Sequence, residues 1–477
     1  MSTTSKSVSL GASLLHNASS ALLGRIVGSL LGVVTFGVIA RTIGADGLGQ
    51  YRTVLTLLLF TSMVFDLGLY PITLREISAA GADQARILGN AIVLRLCGTF
   101  SATVVLALIA WLAGLSPTVK HGVIIAGIGW IGYQLSELLR AVFQQKRMQL
   151  RGAIAENLGA TVTLAIAVAI ASIHGGADGM LAATSVGFLA SAAATWYFAN
   201  RLISLRPRID WLIWRSLIIA GIPMAGSILL LNIQLRVDVL LLSLMRAANE
   251  VGLYDAPVKI YELLFVIPYL LGGLMMPLFV RDLDGGRGSM APRLSAVIGL
   301  LLVCSTLVFA VLFVFGDDVI ALIAGPAFVA AAGPLHVLAG AAVFSGISAI
   351  MRFAAVALNQ QARMLRADVV GVCVAVVAHC LLIPTYGVLG AAIGKLCGDV
   401  ATAITALLLF RQQFQKSVIE STLTAMAACG ALFAGLSVAD NNGAYFLLPT
   451  LIGSALIGGI LLMVPRVRAD LRCITAP

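Results

Sequence analysis

The sequence predicts an all-α polytopic membrane protein of about fourteen transmembrane helices, and three observations lead there. Sixty per cent of the 477 residues are hydrophobic and only 11% are charged, with a mean hydropathy of +1.01. That is more apolar surface than a soluble domain can hide, so the solvent is lipid. The apolar runs reach about 20 residues, the length that crosses a hydrocarbon core about 30 Å thick. They also lack the period-two alternation of barrel strands, and open sheet edges cannot face lipid.

In order, the spans are predicted at Leu15–Ala40, Val54–Leu74, Leu88–Leu115, Val123–Phe143, Ile154–Ile173, Met180–Phe198 and Ser216–Met245. Then follow Val258–Phe279, Leu294–Phe315, Leu335–Leu358, Val369–Ile383, Leu389–Phe410, Val418–Val438 and Ala444–Val464. The first run follows a single lysine, Lys6. It is longer than a signal-peptide core and no small-residue cleavage site follows it, so it is expected to stay as a span. Val369–Ile383 is short and is expected to begin nearer Arg366.

The connecting segments sort by charge. One alternate set carries 21 lysines and arginines, among them Lys6, Arg75, Arg86, Arg140, Arg206, Arg215, Arg281, Arg363, Arg411 and Arg466. The other set carries 5: Arg41, Arg52, Lys120, Arg246 and Lys259. This asymmetry predicts both termini in the cytoplasm. The net charge of +10 therefore describes orientation, and no nucleic-acid partner is expected. Arg75–Arg86 and Arg206–Arg215, the latter with Trp211 and Trp214, are predicted as interfacial helices.

Two echoes organise the chain. Ala45-Asp-Gly-Leu-Gly-Gln-Tyr51 returns as Ala248-Asn-Glu-Val-Gly-Leu-Tyr254, and Gly179-Met-Leu-Ala-Ala returns as Gly387-Val-Leu-Gly-Ala. The separations are 203 and 208 residues. Each half thus holds six spans in the same order and orientation, a parallel repeat about an axis along the membrane normal. The expected domains are an N-lobe at 1–203, a C-lobe at 204–411, and two extra C-terminal helices with a tail at 412–477. The polar hairpins are matched corners of the two lobes.

Five cations lie inside predicted spans: Arg25, Arg95, Arg236, Arg352 and Lys395. Each costs about 2.5–3.5 kcal/mol at mid-membrane on insertion scales, so lipid-facing positions are disfavoured. Arg95 and Arg352 lie near span ends, within reach of snorkelling. Arg25 and Arg236 are expected deeper, facing a water-filled cavity. Lys395 and Asp399 are spaced for a local ion pair. Asp66, Asp238 and Asp399 are the candidates for ion coupling, while Asp66, Glu137, Glu156 and Glu262 are placed near span ends. His379 lies inside the eleventh span. The cation excess points to an anionic ligand, because guanidinium offers phosphate paired donors and stays charged.

Gly24, Gly28 and Gly32 are spaced for close helix packing. Gly221–Gly226 with Pro223, and Pro268 and Pro277, are expected to bend or unwind spans seven and eight. No Walker loop, metal-ligand pair or nucleophile with a base is present, so no catalytic residue, metal site or cofactor is expected, and the chain does not read as an enzyme. Six of the seven cysteines fall inside apolar runs, where a small apolar packing role is expected.

Ala40-Arg-Thr-Ile-Gly-Ala-Asp-Gly-Leu-Gly-Gln-Tyr51, with Asp66-Leu-Gly-Leu after it, resembles bacterial polysaccharide repeat-unit flippases. These belong to the multidrug/oligosaccharidyl-lipid/polysaccharide exporter superfamily. Gly325-Pro-Ala-Phe-Val-Ala-Ala-Ala and Leu382-Ile-Pro-Thr-Tyr-Gly-Val-Leu-Gly-Ala-Ala392 are similar to recurrent stretches there. The resemblance implies two lobes about a central cavity, and alternating access that turns an undecaprenyl-diphosphate-linked oligosaccharide to the outer leaflet. Its implied partners are that lipid-linked substrate, membrane lipids, and polysaccharide polymerase and assembly proteins. Three alternatives stand beside it. A multidrug antiporter of the same superfamily should favour cavity acids, a lipid II flippase shares the cationic cavity, and a glycan polymerase needs a large external loop that this chain lacks.

Overall fold

The structure is a computed structural model that describes residues 3–66, 68–284 and 290–411. The last two predicted spans lie outside the described residues. In chain order the helices are α1 (Thr3–Asp66), α2 (Leu69–Ser78), α3 (Gln84–Leu112), α4 (Pro117–Gln145), α5 (Gln149–Ser172) and α6 (Ala177–Asn200). They continue as α7 (Trp211–Met245), α8 (Ala248–Asp284), α9 (Met290–Ile323), a 3₁₀ turn at Pro326–Ala331, α10 (Ala332–Ala357) and α11 (Gln361–Phe410). Among the described residues, nine helices are long and apolar enough to cross a membrane, and none of these residues is in a strand. The protein is a polytopic helical membrane protein.

Two of these helices each carry two predicted spans. α1 joins the first and second at Gly44, whose φ of 66° and ψ of −175° interrupt the helix. α11 joins the eleventh and twelfth at Gly387, with φ 53° and ψ −124°. Positive φ is cheap only for glycine, so both corners need one. After Gly387 the chain doubles back. A side chain on Gly390 would meet the carbonyl of Leu382, one on Gly394 the His379 ring, and one on Gly398 the Ala375 side chain. The partner falls toward Ala375 as the glycine advances toward Gly398, so the two arms are antiparallel. A row of glycines four apart lets their backbones touch.

The interfacial helices expected at Arg75–Arg86 and Arg206–Arg215 are not formed as such. The first is the end of α2, a turn at Ala79–Asp83 and the start of α3, where the Asp83 carboxylate caps the backbone N–H of Arg86 at 3.1 Å. In the second, Arg206–Asp210 is irregular and α7 starts only at Trp211. The proline and glycine breaks expected in spans seven and eight do not interrupt the helices either. α7 and α8 stay helical throughout.

The described chain forms two compact units. Unit 1 holds the chain to Asn232 together with Arg246–Asp255 and Leu322–Ala327; unit 2 holds Ile233–Met245, Ala256–Ala321 and the chain from Phe328. Inside unit 1 one apolar core gathers Leu69, Ile92, Leu138 and Phe143, and another gathers Val54, Leu58, Val123 and Leu181. Unit 2 is centred on Phe279, Leu294, Ile347, Ile350 and Phe410. Of the predicted small-residue row on α1, Gly24 and Gly28 do face α5, against Ala153 and Asn157, and the Asn157 amide donates to the Gly24 carbonyl at 3.1 Å. Gly32 has open space around it.

The two echoing hairpins meet each other within unit 1. A side chain on Gly49 would collide with the carbonyl of Ala248, and one on Gly252 with the carbonyl of Ala45. Arg52 Nε lies 2.9 Å from an Asp255 carboxylate oxygen, both largely buried. Residues 45 and 248, 49 and 252, and 52 and 255 are each 203 apart. Reciprocal contact between equivalent positions is what a two-fold relation between two segments produces. The repeat in the sequence is therefore a contact in space.

Candidate functional site

The site is built from the charges the spans carry, because a charge in a lipid-crossing helix must face protein or water. Arg95 of α3 is buried, ion-paired with Asp66 at the end of α1. Its Nε and a terminal nitrogen donate to the Gln134 backbone and side-chain carbonyls of α4 at 3.2 Å each. Arg352 of α10 pairs with Asp368 of α11 at 2.6 Å. In both cases a carboxylate from a neighbouring helix matches the charge in place.

Arg236 is different. Its guanidinium lies 3.0 Å from the Glu262 carboxylate of α8, and Lys259, one turn earlier on α8, reaches the other oxygen at 3.3 Å. Two cations share one anion, leaving a net positive charge. The three side chains are 29–35% exposed, so the group is open on one side. Sequence reasoning had put Lys259 in an external connection and Glu262 near a span end. In the structure both stand on α8, which begins at Ala248 and already runs through the hairpin copy. Lys259 lies about 17 Å along the helix from that start, and Arg236 about 14 Å from the end of α7 at Met245. The signal that could have found Lys259 is its three-residue spacing to Glu262, which places both on one face.

Arg25 is exposed and makes no ion pair with a described residue. It lies about 28 Å before the Gly44 corner of α1. The repeat pairs Arg236 with Val33, and Arg25 with Ile228. The two arginines are not equivalent, although their spans are.

The third group lies inside unit 2. Lys395 of α11 donates to the Gln234 carbonyl of α7 at 2.7 Å and stands over the Tyr261 ring at 5.2 Å. The Tyr261 hydroxyl donates to Asp399 at 2.8 Å. Asp238 is buried, one of its oxygens receiving the Val239 N–H at 2.9 Å. Arg236 and Asp238, two residues apart, go different ways as a regular helix demands. No group of three or more metal-ligating side chains occurs among the described residues.

The profile of the family described as "Polysaccharide biosynthesis protein" matches residues 14–282. The chain belongs to that family. No curated protein matches it. Among solved structures it is similar to a lipid II flippase, MurJ, in an inward closed conformation, with a TM-score of 0.73 and 13% identity over 94% of this chain and 99% of that one. It is similar to an inward-facing multidrug resistance MATE family transporter of the MOP superfamily, with a TM-score of 0.66 and 15% identity over 83% and 98%. A MOP superfamily transporter from Pyrococcus furiosus gives a TM-score of 0.59 and 14% identity over 84% and 95%. At such identities the likeness is one of fold, and the fold is that of a membrane flippase or transporter.

Proposed function

We propose that this member of the polysaccharide biosynthesis family flips an undecaprenyl-diphosphate-linked oligosaccharide from the cytoplasmic to the outer leaflet of the inner membrane. It works by alternating access and supplies surface polysaccharide synthesis. The observation that carries this reading is the Arg236–Glu262–Lys259 group. A net positive, half-open charge group inside lipid-crossing helices suits an anionic linkage. A diphosphate takes paired hydrogen bonds from the guanidinium and displaces Glu262 from its shared cations. The lipid tail stays in the bilayer throughout, so no bond is broken and no hydrolytic residue is needed. Arg25, exposed on α1, offers a second cation. Arg95 and Arg352 are already matched by carboxylates and serve packing.

The test is deletion of the gene. Completed lipid-linked repeat units should accumulate on the cytoplasmic leaflet, and surface polysaccharide should fall. An impermeant glycan-modifying enzyme added to intact spheroplasts reads the leaflet. Units that stay accessible from outside, together with new sensitivity to cationic drugs, would overturn this reading in favour of drug export.

A further inference from the structure

Charge on the connection between α6 and α7 is one-sided. From Gly179 to Val237 the sequence holds five arginines and a single carboxylate, Asp210. That carboxylate is already taken, by Arg86 of α3 at 2.5 Å. Arg206, Arg208 and Arg215 are exposed and make no ion pair with a described residue. Large apolar side chains among them are turned outward as well. Ile209 is 74% exposed, Trp211 70% and Leu212 75%.

The backbone pins the segment in this display. The Leu205 N–H donates to the Asn200 side-chain carbonyl at 2.8 Å, and the N–H groups of Arg208 and Asp210 donate to Gly89 and Asn90 of α3. A side chain on Gly89 would collide with the Arg206 carbonyl, so the two backbones touch. Asp210 Oδ1 then accepts the Leu212 N–H at 3.1 Å at the start of α7. On either side Leu205 and Leu217 are buried in the core of unit 1. Ile209, Trp211 and Leu212 nevertheless stay outside. Trp211 and Arg215, four residues apart on α7, share a face. An apolar cluster held outward by a pinned backbone marks an interaction surface. The unmatched guanidinium groups around it select an anionic one.

We propose that Arg206, Arg208 and Arg215, with Ile209, Trp211 and Leu212, bind an anionic phospholipid by its headgroup. Tryptophan suits the boundary between headgroups and acyl chains, where its ring meets apolar chains and its N–H meets water. The arginines lay their stems along that boundary and give paired donors to the phosphate. A zwitterionic headgroup carries its own ammonium beside the phosphate and leaves the guanidinium groups poorly matched. A soluble phosphate would satisfy the arginines but leave three apolar side chains in water. Only a lipid answers both halves of the surface. The site lies on the connection between the two sequence repeats and away from the Arg236–Glu262–Lys259 group in the chain, so it does not depend on the cargo.

The test uses the full-length protein in phosphatidylcholine vesicles that carry a minor fraction of a brominated lipid. Bromine quenches a neighbouring indole, and the Trp211 signal is the difference between each protein and the same protein with Trp211→Phe. Brominated phosphatidylglycerol should quench that signal more than brominated phosphatidylcholine at equal mole fraction, and the ratio reads relative affinity. Arg206→Gln, Arg208→Gln and Arg215→Gln should each lower the ratio about fivefold, the effect of one basic residue near an anionic surface. The triple variant should bring it to one. Arg75→Gln, which removes an exposed arginine of α2, should leave it unchanged. If the triple variant fails to insert, the single variants decide. Equal quenching by the two lipids in wild type overturns the proposal. So does an effect of Arg75→Gln as large as that of Arg215→Gln, because bulk charge then suffices. Loss of the preference when inorganic phosphate replaces chloride at equal ionic strength overturns it in favour of a soluble phosphate. Absence of any lipid preference, with surface polysaccharide lost in the triple variant, overturns it in favour of an acidic protein partner.

Discussion

Glu262 shows how one residue sets the character of a site. It holds Arg236 at 3.0 Å and Lys259 at 3.3 Å, and a competing anion must take its place. Arg236→Ala should abolish glycan translocation in a complementation assay while membrane insertion stays normal, and Arg236→Lys should restore it only in part, lacking the planar fork. Loss of the protein from the membrane in both variants would make the residue structural instead. A second residue-scale expectation concerns Arg52 and Asp255. Because they occupy equivalent positions of the two hairpins, exchanging them maps the pair onto itself. Arg52→Asp should lower Tm clearly, since two buried carboxylates then face each other, in line with the roughly 3–5 kcal/mol lost when one partner of a buried pair is removed. Adding Asp255→Arg should recover most of the loss.

At the scale of elements, the glycines decide how closely helices approach. Gly371, Gly394 and Gly398 face the opposite arm of α11 with no room for a side chain. Gly398→Val should cost about 1–3 kcal/mol by overpacking, read as a drop in Tm of the detergent-purified protein. The Arg206–Asp210 stretch is held by its backbone: Arg208 N–H donates to the Gly89 carbonyl at 3.3 Å, and Asp210 N–H to the Asn90 side chain at 2.7 Å. The Asp210 carboxylate also meets Arg86 at 2.5 Å, which holds that carboxyl below its ordinary range, the hydrogen bond from Arg86 being the largest cause. A depressed carboxyl stabilises above its unfolded value and loses that as pH falls through its folded value. The clamp should therefore be fully formed at neutral pH. Asp210→Asn should speed amide exchange across 205–214 at pH 7 and leave α3 beyond Asn90 unchanged.

For the whole molecule, the charge asymmetry of the connections predicts topology. Reporter fusions at Gly285, Gln413 and Pro477 should report cytoplasm, and those at Gly176 and Asn442 the opposite side. Opposite reporting at Gln413 and Pro477 would break the fourteen-span count.

What the sequence determined by itself is the solvent, the helical class and the order of spans. Each follows from local quantities: run length against bilayer thickness, and the demand that every backbone polar group be satisfied within its own segment. Its 203-residue echo also announced that the two hairpins are equivalent. Only the tertiary structure decided that they touch, because contact depends on glycines meeting carbonyls across a distance no spacing rule covers. The same holds for charge. Sequence reasoning could name Arg95, Arg236, Arg352 and Lys395, yet not their partners, since Asp66, Glu262, Asp368 and Gln234 come from other helices or other turns. It listed Lys259 with the connections, although the hairpin copy is itself helical and α8 runs through it without a break. Whether a charge in a membrane helix is spent on packing or left over for chemistry depends on what the neighbouring helix presents at that height, and that is set only when the helices pack.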